Sequence, residues 1–541
     1  MTRPVDLIPW TLLNLVFYRK RKGKPKMTKS TKSLSSMLSS AKSRRQVHAD
    51  AVNVVTTARA GSGKTFTLVE GVKRVKGRKT PGIIGSVQQE EVWQWMLKGS
   101  KPGTICFVAF NKSIAEELGR QLPHGCQAMT LHSMGFSAVK KAYGKSTKLC
   151  KWKTNNILED YLGQDLREVQ QDRPTFVEGV IKLVASCKQT LTDPTDVDAL
   201  DALASTYDIL LNGDREAIFE AVPEILERSR TWTHEIDFND MIWLPVANGL
   251  PCFVNDLLLV DEAQDLNRCQ QALAMQCGRR IVLCGDNRQA IYGFAGADVE
   301  SIPRMVGFLE ETKNGVKELK LTETRRCGKK IVELANQIVP DLTAHKDNPE
   351  GIIRNARLED AIQEMGNDDM VLCRVNAPLI ALCFKLIKSG VKANIKGRDI
   401  GDGLIALIKK SKAVSVDGLI DWVDDFFQRE SQRLAKRKNV ADSALIALED
   451  KKACIMAFCE GATNLGEVRD AIKNMFSDNN GAGVLLSSVH RAKGLEAQRV
   501  FILEPGLMPH PMAKQTWEQE QEQNIKYVAI TRAINELVFV D

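Results

Sequence analysis

Ala58-Arg59-Ala60-Gly61-Ser62-Gly63-Lys64-Thr65 follows the apolar run Val52–Thr57 and opens a predicted helix. A strand that passes through closely spaced glycines into a helix is the setting of a phosphate-binding loop. Backbone N–H groups at the glycines cradle phosphate oxygens, and the helix N-terminus favours their charge. In that arrangement Lys64 reaches the β and γ phosphates of a nucleotide and Thr65 holds Mg²⁺. Ala58 stands where the first glycine of the pattern usually falls. Gly144-Lys145-Ser146 looks similar, but Val139 occupies the place of the earlier glycine, so it reads as a chance match.

About 200 residues on, the apolar run Leu257–Val260 delivers Asp261-Glu262-Ala263-Gln264-Asp265 at its end. Two adjacent carboxylates at a strand terminus suit phosphoryl chemistry: Asp261 holds Mg²⁺ through water, and Glu262 polarises the attacking water. Further buried runs are Ile105–Ala109, Ile281–Cys284, Val371–Cys373, Val484–Ser487 and Val500–Leu503. Apolar runs separated by helical stretches predict parallel sheets of α/β type. They fall into two groups, before and after about residue 300. The stretches 136–230 and 400–480 carry no strand signal and read as helical insertions, one in each α/β domain. The resulting division is 46–135 plus 231–300 for the first, and 301–399 plus 481–541 for the second.

Of the 75 basic residues in this 541-residue chain, 12 lie in residues 1–45 beside one acid, so this tail holds +11 of a net +8. The body is therefore near −3, and overall charge makes no case for nucleic acid. The tail is rich in Lys, Arg and Ser and reads as disordered. No run approaches the ~18 apolar residues of a membrane span. Thirteen cysteines occur without a C-x-x-C pair, which predicts reduced, mostly buried thiols and a cytoplasmic setting.

Seen together, the phosphate loop and Asp-Glu-Ala-Gln-Asp resemble the UvrD/Rep-type superfamily 1 DNA helicases. Other segments match in the same order: Ala109-Phe110-Asn111-Lys112, Thr130-Leu131-His132-Ser133, and Ile236 to Met241. Gly285 to Phe294, Leu321 to Arg326, Ser488 to Glu496 and Tyr527 to Ala533 complete the series. The resemblance spans about residues 46–541 and implies two RecA-like motor domains with ATP in the cleft between them.

It further implies that Arg326 and Arg532 reach the γ-phosphate as arginine fingers, which a planar, permanently charged fork suits. Gln289 senses that phosphate, Glu496 binds the ribose, and Gln46 reads adenine. Single-stranded DNA, and duplex–single-strand junctions, are the implied partners. Phe110, Tyr292 and Phe294 are candidates for base stacking, with Asn111, Lys112, His132 and His490 near phosphates. The implied activity is ATP-dependent travel along single-stranded DNA with helicase action, 3′→5′ by family grouping. The alternative is a DNA-dependent ATPase that displaces proteins with little unwinding. Three positions depart from the pattern. Arg325 replaces the tyrosine that stacks on adenine, Ala295 replaces an arginine, and Ala497 replaces an aromatic. A guanidinium also stacks on a base, so Arg325 stays an adenine candidate.

Overall fold

The computed structural model describes residues 52–99, 101–207, 209–211, 213–291, 300–435, 442–477, 483–514 and 516–541. Gln46, Tyr292, Phe294, Ala295 and the basic tail lie outside these residues.

The first sheet is built from β1 (Asn53–Ala58), β2 (Ile105–Val108), β3 (Cys126–Met129), β6 (Asn255–Val260), β7 (Gly278–Gly285) and β8 (Val316–Leu321). Between them, β4 (Lys148–Leu149) and β5 (Glu235–Ile236) close the root of the first helical insertion. The sheet order is β3-β2-β6-β7-β1-β8, and all pairs are parallel. The strands buried on both faces are the ones the apolar runs predict. One boundary differs. Val316–Leu321, placed by sequence in the second domain, pairs with β1 in the first sheet from Asn53↔Val316 to Ala58↔Leu321. It is an edge strand in which Lys317, Glu318 and Lys320 interrupt the apolar residues, so it shows no continuous apolar run.

After the short pair β9 (Glu323–Thr324) and β10 (Thr343–Ala344) comes the second sheet. It holds β11 (Ile352–Ala356), β12 (Met370–Cys373), β13 (Ala393–Lys396), β14 (Phe476–Ser477), β15 (Val484–Ser488), β16 (Ala497–Leu503) and β17 (Ala533–Val540). Its order is β11-β17-β16-β12-β15-β13-β14, again wholly parallel.

The insertions are not appended bodies. Ile157, Phe176, Leu183, Ile218 and Ile225 of the first pack in one core with Leu258 and Val260 of β6. Leu419, Val423, Phe427 and Phe458 of the second pack with Val371, Leu486 and Phe501. Each of these fully buried side chains contributes roughly 1.5–3 kcal/mol, so the insertions stiffen the sheets that carry the site. All 13 cysteines are free, and most are buried.

Candidate nucleotide cleft and single-strand track

The C-terminal ends of β1, β6 and β7 lie side by side, which brings the phosphate loop, Asp261-Glu262 and Asp286 to one edge. Gly61 and Gly63 have φ of +70° and +78°, the left-handed region where a side chain is strained. At Gly61 a Cβ would also collide with the Thr324 hydroxyl and lie 2.6 Å from Arg326 Cβ. The loop therefore packs directly against the segment leading into the second domain. Glu262 also has a positive φ, +50°, without the freedom of glycine. Backbone strain of that kind costs about 1–3 kcal/mol and collects at functional sites.

The strained turn brings the two acids to the loop. Thr65 Oγ1 donates to Asp261 Oδ2 at 2.5 Å, and Lys64 Nζ lies 2.9 Å from Glu262 Oε2. Gln264 donates to the same Glu262 oxygen at 2.6 Å. Burial, and then the Glu262 charge, raise Asp261 above the usual carboxylate range. Burial opposes ionisation of Glu262 too, but Lys64 and Lys493 hold it below that range. One carboxylate is thus kept ionised beside a lysine, and the other carries the repulsion of its neighbour. The Thr65 hydroxyl and Asp261 carboxylate form a hard-oxygen pair of the kind Mg²⁺ uses alongside substrate phosphates. Among the described residues no cluster of three or more His, Cys, Asp or Glu gathers as an all-protein metal cage.

Asp286, fully buried, is the hub of the cleft. It accepts from Arg59 at 2.8 Å, from Gln289 Nε2 at 2.7 Å and from Tyr527 Oη at 3.4 Å. Arg59 also forms a forked pair with Asp341 at 2.7 and 3.0 Å. The amides of Arg59 and Ala60 are already taken, by Leu321 O and Tyr527 Oη. Among the loop residues singled out by sequence, these two contribute anchoring rather than free phosphate donors, and Ala58 is a fully buried strand end. Ser62 N–H donates to Arg59 O at 3.2 Å, while its buried hydroxyl has no hydrogen-bond partner among the described residues.

The second domain meets this edge from across the cleft. Arg326 pairs with Glu496 and donates to Thr531 O at 3.3 Å. Arg532 is almost wholly buried and donates to Val528 O, Leu495 O and Thr531 Oγ1. Burial and the charge of Arg326 pull Arg532 down to about 10. Arg325 is exposed, with its amide donating to Gly61 O at 3.1 Å. Lys493 bridges the cleft, 2.7 and 2.6 Å from the Asp265 oxygens and 2.7 Å from Gln289 O. Asp265 is raised to about 6 by burial, against the pull of Lys493. Neither Lys493, Asp341 nor Tyr527 was singled out as a site residue from sequence. Lys493 and Tyr527 lie inside matched segments, whereas Asp341 had no signal.

Of the described candidate DNA contacts, Phe110, Asn111 and Lys112 are exposed, whereas His132, in the helix Leu131–Tyr143, and His490 are half-buried. Phe110 is 54% exposed. Asn111 caps the helix Lys112–Gln121 by accepting from Ile114 N at 2.9 Å, and Lys112 projects into solvent. His132 stacks on Phe238, with ring centroids 4.0 Å apart and planes 26° from parallel. Phe238, also missed from sequence, is 58% exposed. It rides on a turn closed by Asp240 N donating to Asp237 Oδ1 at 2.8 Å and Asp237 N to Asp240 Oδ2 at 3.1 Å. Those aspartates are neutralised underneath by buried Lys153 and Lys188 at 2.6–2.8 Å. Burial moves His132 down to about 4. Burial with Arg374, Lys493 and Arg491 moves His490 down to about 3. Both rings are therefore neutral at neutral pH.

Comparison with known proteins agrees with this geometry. The model of the UvrD/REP helicase N-terminal domain matches residues 39–307, and that of the UvrD-like helicase C-terminal domain matches residues 408–540. The chain is 26% identical to ATP-dependent DNA helicase Rep of Escherichia coli (strain K12) over 243 residues, 42% of this chain and 33% of Rep. It is 21% identical to ATP-dependent DNA helicase PcrA of Bacillus subtilis (strain 168) over 503 residues, 69% of this chain and 66% of PcrA. With PcrA of Staphylococcus epidermidis (strain ATCC 12228 / FDA PCI 1200) the identity is 21%, covering 89% of this chain and 80% of that one. The match spans about a third of the length of the Rep relatives.

Proposed function

The chain belongs to the UvrD/Rep family of superfamily 1 DNA helicases, and on that footing we propose that it uses ATP hydrolysis to travel 3′→5′ along single-stranded DNA and open duplex at a junction. The observation that carries the reading is the cleft itself. A phosphate loop and acid pair on one sheet face Arg326 and Arg532 held by the other.

ATP would draw Lys64 from Glu262 to the β and γ phosphates. Glu262, already ionised, would then be free to take the proton of the attacking water. Thr65 and Asp261 would hold Mg²⁺, which supplies charge neutralisation on the phosphates when bound. Arg326 would exchange Glu496 for the γ-phosphate, leaving Glu496 for the ribose. Arg532, buried just behind, would carry the second positive charge. Gln289, tied to Asp286 and to Lys493, links the nucleotide edge to the second domain. Phosphate release would loosen this link, and alternate closing and opening would move the domains along the strand.

On the DNA side, Phe110 and the Phe238–His132 stack offer aromatic faces to bases, and Tyr292 and Phe294 are kept in the same role from the sequence. Lys112 serves the backbone. Forked duplexes with a 3′ or a 5′ tail test the proposal. Unwinding of the 3′-tailed fork alone is the expected result. Displacement of streptavidin from biotinylated DNA without unwinding of either fork would favour the protein-displacing ATPase instead.

A further inference from the structure

Next to the His132–Phe238 stack the first domain carries a recess of 680 Å³ that the nucleotide cleft does not use. Ser133, Phe136, Ser137, Lys140, Lys141, Lys145 and the buried Met241 line it. Most of these lie on one helix, Leu131–Tyr143, at spacings of three to four residues that share a face. Gly144, at φ +106°, ends the helix and turns Lys145 back to the same recess. Of the Gly144-Lys145-Ser146 triplet, Lys145 is the residue that lines this recess.

The chemistry of the lining is one-sided. It presents three ammonium groups, two hydroxyls, one ring and the Met241 thioether, and among the described residues no carboxylate. Lys140 lies over the Phe136 ring, 4.2 Å from its centroid. Lys141 and Lys145 are exposed. Lys140 and Lys141 also suit the C-terminal end of the helix dipole. That alone would not gather Lys145, Ser133 and Ser137 around a concavity.

We infer that this recess binds the sugar–phosphate backbone of the same single strand, extending its track beyond His132 and Phe238 along the helix Leu131–Tyr143. The inference rests on the proposed function, since it takes the stacked pair as the start of the path. Lysines around a recess with an aromatic wall match the way single strands are held, by cations along the backbone and rings under the bases. The path from Ser133 to Tyr143 is about 15 Å at 1.5 Å per residue, room for a few nucleotides rather than one phosphate.

The test compares the full chain with the triple variant Lys140→Gln, Lys141→Gln, Lys145→Gln. Fluorescence anisotropy is read with oligothymidylates of about 8 and about 20 nucleotides, one within and one beyond common site sizes. The wild type should gain affinity with length, and the variant should lose most of that gain. Three phosphate contacts on a single strand give a salt slope of about 2. The wild-type advantage should therefore shrink roughly 20-fold between 50 and 200 mM salt. A Lys→Arg triple variant should restore it, and melting temperatures should shift little, because Lys141 and Lys145 are exposed and only Lys140 packs on a ring. Wild-type and Gln variant with equal length dependence and salt slope would overturn the inference alone. A defect seen only with duplex-bearing probes would overturn the single-strand assignment. A wild type that binds no single strand at either length would remove the proposed function itself, and this inference with it.

Discussion

Replacing Lys493 by methionine probes the closure of the cleft more directly than removing any nucleotide contact. The ammonium crosses from the second domain to Asp265 and Gln289 O, with 8% of the lysine side chain and 3% of the aspartate side chain exposed. Removing one partner of such a buried pair costs about 3–5 kcal/mol, because the remaining charge loses its compensation. Here the two partners sit on separable domains, so opening the cleft would return Asp265 to water. The penalty should therefore fall on closure rather than on folding. At about 3 kcal/mol the closed population would drop roughly 100-fold.

Steady-state ATP hydrolysis with saturating single-stranded DNA should show that loss in kcat/KM. pH gives a second reading. Asp265 is already raised to about 6 in the closed arrangement, above the ordinary carboxylate value of a solvated, open state. A closed state that holds the proton more tightly is favoured as pH falls. The Met variant, lacking the opposing lysine, should recover part of its activity as pH drops from 8 towards 6. A melting temperature lowered by several degrees with unchanged kinetics would make Lys493 a fold staple and refute the reasoning.

Lys64→Ala should weaken ATP binding, measured with a fluorescent nucleotide, because the β and γ phosphate charge loses its partner. Phe238→Ala should cost about 1–3 kcal/mol of single-strand affinity without lowering the melting temperature. The ring is mostly solvent-exposed, and the Asp237–Asp240 turn keeps its lysines. Single-strand affinity should stay flat from pH 5.5 to 8, because His132 and His490 charge only below about 4 and about 3. A step near pH 6.5 in an anisotropy titration would contradict their neutral state.

The parts of the fold legible in the sequence are those buried on two sides. β1, β2, β6, β7, β12, β15 and β16 are interior strands whose apolar runs need no alternation. β3, β8, β11 and β14 are sheet edges, half covered, and their mixed residues left no comparable run. The nucleotide edge was legible because phosphate chemistry demands particular residues at fixed spacings. The cross-cleft partners were not. Asp341 meets Arg59 across 282 positions, and Lys493 meets Asp265 across 228, contacts that only the tertiary fold creates. Phe238 escaped notice because an aromatic next to Asp237 reads as core until its exposure is known.

Phosphate release by the wild type and by Glu262→Gln, each with and without a single-stranded oligonucleotide, tests the central claim. The account predicts that DNA accelerates release by the wild type, and that the Gln variant binds ATP as tightly yet turns over at least 100-fold more slowly, an effect of about 2.7 kcal/mol on the barrier. Equal turnover by the two proteins, indifferent to DNA, would contradict both the role of Glu262 and the motor assigned to this cleft.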